Sequence, residues 1–181
     1  MTLNSNKFNN DKKSSKSYLL RNGSVIDVLN KKILKNDLFI KNQIIEKIGK
    51  DLSSQIDKDT EIIECKNLFI SPGFIDMRVN ISEPGNEHKE TIKTASMSAA
   101  SGGITSIICM PNTVPPIDQP AIIQSIQRKA REVALSKIFC TGCITRNFEG
   151  NEICELHLMK ESGAVGFTDG IKSIQNTRVM R

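Results

Sequence analysis

The 181-residue chain contains no Trp, one Tyr and two His, and only 4% of its residues are aromatic. With so few rings, base stacking of the kind that holds single-stranded nucleic acid has little to work with. Charge does not supply an alternative route to nucleic acid. The formal net charge of +5 sits largely in Lys-rich stretches before Ile70, with acidic residues among them, and reads as a solvated surface. No apolar run approaches the roughly 18 residues that a membrane span needs, and Met1 to Lys16 are polar, so neither a span nor a secretory signal is expected. The five cysteines, Cys65, Cys109, Cys140, Cys143 and Cys154, are odd in number and lack a disulfide-framework spacing, which favours a reduced, cytoplasmic setting. Cys140-Thr141-Gly142-Cys143 is a lone C-x-x-C without a second ligand pair, and at the end of an apolar strand it reads as buried small side chains.

Along the chain, residues 1 to 16 repeat Asn, Lys and Ser and have too little apolar surface to offset ordering entropy, so a disordered polar tail is expected there. From 17 to 71, short β-prone runs (Tyr18 to Leu20, Ser24 to Val28, Asp37 to Ile40, Ile44 to Ile48, Glu61 to Glu64, Leu68 to Ile70) alternate with Asn-Gly and other polar turns. They predict a small antiparallel β unit. From Pro72-Gly73 onward the pattern becomes α/β, with strands Gly73 to Val79, Thr105 to Met110, Lys137 to Ile144 and Ala164 to Thr168. The helices that follow them are expected from about Lys89 to Ala100, Pro120 to Ala134, Glu152 to Glu161, and from near Ile174. Ile122, Ile123, Ile126 and Ala130 fall on one face of the second helix. Four successive βα units favour a parallel sheet.

Five ordered segments carry a resemblance. They are Phe74-Ile75-Asp76-Met77-Arg78-Val79-Asn80-Ile81-Ser82-Glu83-Pro84-Gly85, Glu87-His88-Lys89-Glu90-Thr91, Ala99 to Thr105, Cys109-Met110-Pro111-Asn112-Thr113 with Pro115 and Asp118, and Gly163 to Gly170. Together they resemble the dihydroorotase and allantoinase branch of the amidohydrolase superfamily. That resemblance implies the N-terminal half of a TIM-like (β/α)8 barrel, preceded by part of a β-sandwich. A full barrel takes about 250 residues and about 110 remain after Pro72, so a piece of a longer protein is expected. A four-stranded half-barrel would leave two open edges, which invites self-association.

In the family the first strand ends in His-x-His, an apolar residue and Arg-Glu-Pro-Gly. Residues i and i+2 of a strand point to one side, so that spacing aims two imidazoles at a shared zinc ion. Here the two His positions are Arg78 and Asn80, and the substrate-clamping Arg position is Ser82. A cation repels a divalent ion and a neutral amide holds one weakly. His88, beside the Glu-Pro-Gly turn, and His157, within an amphipathic helix, read as surface or helix-packing residues. Asp169 matches the first residue of a family Asp-Asp-Gly that supplies a metal-bridging carboxylate, with Gly170 at the second position; it is the lone metal candidate, against a role in ordering a loop or capping the next helix. Asn112 matches a substrate-contacting Asn, against a purely geometric role in its turn. Asp76 reads as a structural hydrogen-bonding residue.

The resemblance therefore implies a dihydroorotase-like protein of pyrimidine biosynthesis that is catalytically impaired and holds no zinc. By analogy with pseudo-enzymes of this branch, its expected partner is the aspartate transcarbamoylase catalytic chain. The alternatives are an active zinc-dependent dihydroorotase, interconverting carbamoyl-aspartate and dihydroorotate, and a fragment with no function of its own.

Overall fold

The computed structural model describes residues 16–170 and 172–181. Residues 1–15, nearly all of the expected disordered tail, lie outside the described residues. The chain divides into two compact units, Met1–Pro72 and Gly73–Arg181.

In the first unit, β2 (Lys32–Lys41) lies between β3 (Ile44–Gly49) and β1 (Ser17–Asp27) and is antiparallel to both. Beyond β1, β4 (Glu61–Glu64) and β5 (Phe69–Ile70) pair with successive halves of it in parallel. The sheet is thus mixed rather than antiparallel as expected. The segment after β3, with its 3-10 turn Leu52–Gln55, crosses over and returns the chain in the direction of β1.

The expected Asn-Gly turn is also absent, because Asn22-Gly23 forms a bulge inside one continuous strand. Asn22 adopts φ 60°, and the β1–β2 register shifts between Leu20 and Gly23. Buried Asp37 holds this bulge: its Oδ1 accepts from the Asn22 N–H at 2.9 Å and its Oδ2 from the Leu52 N–H at 3.0 Å. Leu19, Phe39 and Leu52 form the small core of the unit.

The second unit is a parallel sheet in the order β6 (Phe74–Val79), β7 (Ile104–Cys109), β8 (Lys137–Gly142), β9 (Ala164–Phe167). Each strand is followed by a helix: α1 (Ile92–Ser101), α2 (Pro120–Val133), α3 (Leu156–Glu161) and α4 (Thr177–Met180). Ile92, Ala95 and Ala99 of α1, Ile122, Ile123 and Ile126 of α2, and Met159 of α3 pack with Ile107, Cys109, Ile138, Cys140 and Ala164 of the strands. Each buried isoleucine contributes about 1.5–3 kcal/mol of burial, so this layer is what fixes the strand ends in place.

Helix starts are set by local chemistry. Helix α1 begins at Ile92 rather than Lys89, because Thr91 and Thr94 form a reciprocal capping box. The Glu83 carboxylate adds a further cap by accepting from the Ile92 N–H at 2.8 Å. Helix α3 begins at Leu156 rather than Glu152, since a Thr145–Ile153 bridge holds the preceding residues extended. At the edge strands, Phe74, Ile75 and Met77 of β6 and Val165 of β9 are exposed. Among the described residues, no helix is long and apolar enough to cross a membrane.

Candidate functional site

In a parallel α/β sheet, sites form at the C-terminal ends of the strands, where the connecting loops converge. Such a cavity, of about 180 Å³, lies at that end of the second unit. It is lined by Arg78 and Asn80 from the end of β6, Met110 and Asn112 after β7, Phe148 after β8, and Asp169, Gly170 and Lys172 after β9. Between Arg78 and Asn80, Val79 packs into the helix-covered core, so its two neighbours face the opposite side, as the i, i+2 geometry requires. Strand β6 is bulged just before this point. Its register against β7 shifts between Asp76 and Val79, and the Asp76 carboxylate accepts from the Arg78 N–H at 3.0 Å.

Asp169 is almost wholly buried and its carboxylate is already engaged. Oδ1 accepts from the Ile144 N–H at 2.8 Å and the Thr145 N–H at 3.0 Å, while Oδ2 accepts a short hydrogen bond from the Thr145 hydroxyl. Thr145 Oγ1 in turn accepts from the Gly150 N–H at 3.0 Å. The carboxylate therefore ties down the loop that precedes α3, not the helix that follows it. Behind it, burial pushes the Cys154 thiol up to about 11 and the Cys143 thiol further still. The Cys140 thiol is raised first by its hydrogen bond with Cys109 and then by burial, so the C-x-x-C residues are separate buried side chains.

The Glu-Pro-Gly and Met-Pro-Asn-Thr segments meet at their loops. The Val114 N–H donates to the Pro84 carbonyl at 3.0 Å, and Gly85, at φ 101°, passes so close that a Cβ would stand 2.0 Å from the Val114 carbonyl oxygen. Only glycine fits there. Both segments thus have a structural purpose that needs no metal. Ser82 does not line the cavity; its carbonyl accepts from the Asn86 N–H at 2.8 Å and begins the turn. His88 is exposed, and His157 is an exposed α3 residue 3.4 Å from Glu161. A larger hollow of about 410 Å³, between the β6–α1 loop and α2, contains none of the candidate site residues.

Phe148 and Lys172 went unnoticed in the sequence. Phe148 reaches the cavity through a loop in which Asn147 and Phe148 both take positive φ, and no local signal marks it. Lys172 could have been found as the first cation after Asp169.

A zinc ion is held by about four imidazole, thiolate or carboxylate donors. The cavity instead presents a guanidinium, an ammonium, two neutral amides and a carboxylate occupied by three donors. Among the described residues, no group of three or more His, Cys, Asp or Glu is arranged to hold a metal ion. These residues do not fit the zinc site of a hydrolase.

The family model described as Dihydro-orotase-like matches residues 67–181. The chain belongs to that family. It is 40% identical to the dihydroorotase of Caldicellulosiruptor saccharolyticus over 163 residues, covering 90% of this chain and 38% of the relative. The dihydroorotase of Aquifex aeolicus is 39% identical with the same coverage. The dihydroorotase-like chain thus spans well under half the length of these relatives. Among solved structures, L-hydantoinase from Arthrobacter aurescens superimposes with a TM-score of 0.71 at 26% identity, covering 83% of this chain and 32% of that one. D-hydantoinase from Thermus sp. gives a TM-score of 0.61, also at 26% identity, covering 80% of this chain and 30% of that one. The α/β architecture, a small β unit and the first strands and helices of a TIM-like barrel, is shared with these amidohydrolases.

Proposed function

We propose that this dihydroorotase-like chain has lost metal-dependent hydrolysis and serves as a non-catalytic assembly partner in pyrimidine biosynthesis, with the aspartate transcarbamoylase catalytic chain as its partner. The observation that carries this reading is the cavity itself: Arg78 and Asn80 stand at the strand end where the family places two imidazoles, and Asp169 is committed to the Ile144–Thr145 loop. Zinc lowers the pKa of its bound water from about 15.7 to about 7, worth on the order of 10 kcal/mol of nucleophile activation at about 1.4 kcal/mol per unit. No side chain in the cavity replaces that. The helix-backed sheet remains packed without the chemistry, as a fold kept for binding requires. Five unpaired thiols accord with a cytoplasmic setting, and the β6 and β9 edges are where further association would occur.

The test is elemental analysis of the purified protein after zinc incubation, alongside co-purification with the aspartate transcarbamoylase catalytic chain. The expected result is a stable complex with zinc well below one ion per chain. Stoichiometric zinc with chelator-sensitive dihydroorotase activity would overturn the reading, and so would failure to bind the transcarbamoylase.

A further inference from the structure

We propose that the tip of the β1–β2 hairpin is a contact site for an anionic lipid bilayer, into whose surface Val28, Leu29 and Ile33 insert while Lys31, Lys32 and Lys35 meet the lipid headgroups. The last pair of the two strands is Asp27 with Lys32, so Val28 to Lys31 form the turn beyond the sheet. Leu29 is 93% exposed, the most exposed large hydrophobic side chain among the described residues, and Val28 and Ile33 are 61% and 62% exposed. Exposed aliphatic residues scattered singly are ordinary on a protein surface, but these three cluster at one turn and form a patch. The turn holds its own shape. The Asp27 carboxylate accepts from the Asn30 N–H at 3.0 Å through Oδ1 and from the Asn30 side-chain amide at 2.7 Å through Oδ2, and Lys31 completes the turn at φ 53°.

Charge selects the kind of surface. From Val28 to Lys35 there are three lysines, all exposed, and no acid, and among the described residues none of the three forms a salt bridge. The Asp27 carboxylate, turned into the loop by Asn30, offsets part of this charge through Lys32 and leaves a positive surplus. A convex tip with Leu29 projecting from it suits a fluid bilayer better than the surface of a folded partner, because acyl chains and headgroups rearrange around a protrusion. Lysine stems are long enough to keep their ammonium groups at the headgroup level while the shorter aliphatic side chains sink below it. Binding then draws on two sources, the apolar area removed from water and the attraction of each lysine to the anionic surface. Contact of this kind with one face of a membrane needs no spanning segment.

The experiment sediments the full chain with vesicles of phosphatidylcholine alone and of phosphatidylcholine mixed equally with phosphatidylserine. Parent, Leu29→Ser and the double variant Lys31→Gln/Lys32→Gln are compared with two controls in the second unit, Leu135→Ser at another exposed leucine and Lys129→Gln at another exposed lysine. Far-UV circular dichroism confirms the fold of each. The expected result is partition into phosphatidylserine vesicles about tenfold or more above that into phosphatidylcholine alone, weakened by high salt. Leu29→Ser should lower it about tenfold and the double variant on the order of fivefold per lysine, with both controls unchanged. Because the chain has no Trp, Leu29→Trp places a single indole at the tip, whose emission should shift to the blue on the anionic vesicles and be quenched by lipids brominated in their acyl chains. No sedimentation with phosphatidylserine vesicles overturns the proposal, as does equal sedimentation of parent, Leu29→Ser and the double variant, or vesicle binding with the indole emission unshifted. Tip variants that lose co-purification with the transcarbamoylase, in a chain that ignores vesicles, would make the tip a protein-docking surface and likewise overturn it.

Discussion

Replacing Asp169 by Ala removes the acceptor for three donors at once, the Ile144 and Thr145 N–H groups and the Thr145 hydroxyl, at a position only 5% exposed. Each buried donor left unsatisfied costs about 1–3 kcal/mol. Water entering the vacated space recovers part of this, giving an expected loss of about 3–5 kcal/mol, a large share of the 5–15 kcal/mol typical of a whole domain. At roughly 4 °C per kcal/mol for a unit of this size, the melting temperature should fall by about 12–20 °C. Asp169→Asn keeps one accepting oxygen for the two N–H groups and should cost only about 1–2 kcal/mol. The assay is urea denaturation in chelator, with amide exchange followed at Ile144 and Thr145, whose protection should drop first. If the Ala variant lies within about 0.5 kcal/mol of the parent under these conditions, the loop-ordering account of Asp169 is wrong. A metal-ligand role predicts the reverse pattern: the parent loses stability to chelator and the Ala variant does not respond to it.

Gly85→Ala forces a Cβ to within 2.0 Å of the Val114 carbonyl oxygen at φ 101°, so denaturation should show a loss of about 2–4 kcal/mol with the loop pairing disrupted. The buried thiols give a pH dependence. Cys154 is raised from the ordinary value of 9.0 to about 11, so between these values the native state keeps a proton that the unfolded chain releases. Stability is full below about pH 9 and falls as pH rises through about 11 in a urea titration series, with Cys143 extending the loss upward; the Cys154→Ser variant should show a shallower decline. For the same reason, iodoacetamide at pH 8 should label the folded chain far more slowly than the urea-unfolded chain.

Much of the second unit was legible in the residues themselves. The Ile122, Ile123 and Ile126 spacing can bury one face only as a helix, and Pro120 starts it. The apolar runs leading to Met110, Ile144 and Thr168 could only be buried strands once each was followed by a helical pattern. The i, i+2 relation of Arg78 and Asn80 follows from strand geometry, and so did their facing the same side.

What the sequence left open depended on contacts distant in the chain. Asn22-Gly23 carries the wording of a hairpin turn and becomes a bulge because Asp37, fifteen residues on, captures its N–H. The first sheet is mixed because β4 and β5 find their partner in β1, and strand direction is decided by pairing rather than by local propensity. The role of Asp169 was equally undetermined, since a carboxylate after a strand can bind a metal or order a loop. Only the fold brings Ile144 and Thr145, twenty-five and twenty-four residues away, against its two oxygens. The sequence alone determined that a guanidinium and an amide, Arg78 and Asn80, stand two residues apart at the end of the first strand of the second unit. Tertiary structure decided that Arg78, Asn80 and Asn112 converge on one cavity with Phe148 and Lys172, because a site at the strand ends is assembled from four loops that share no local signal.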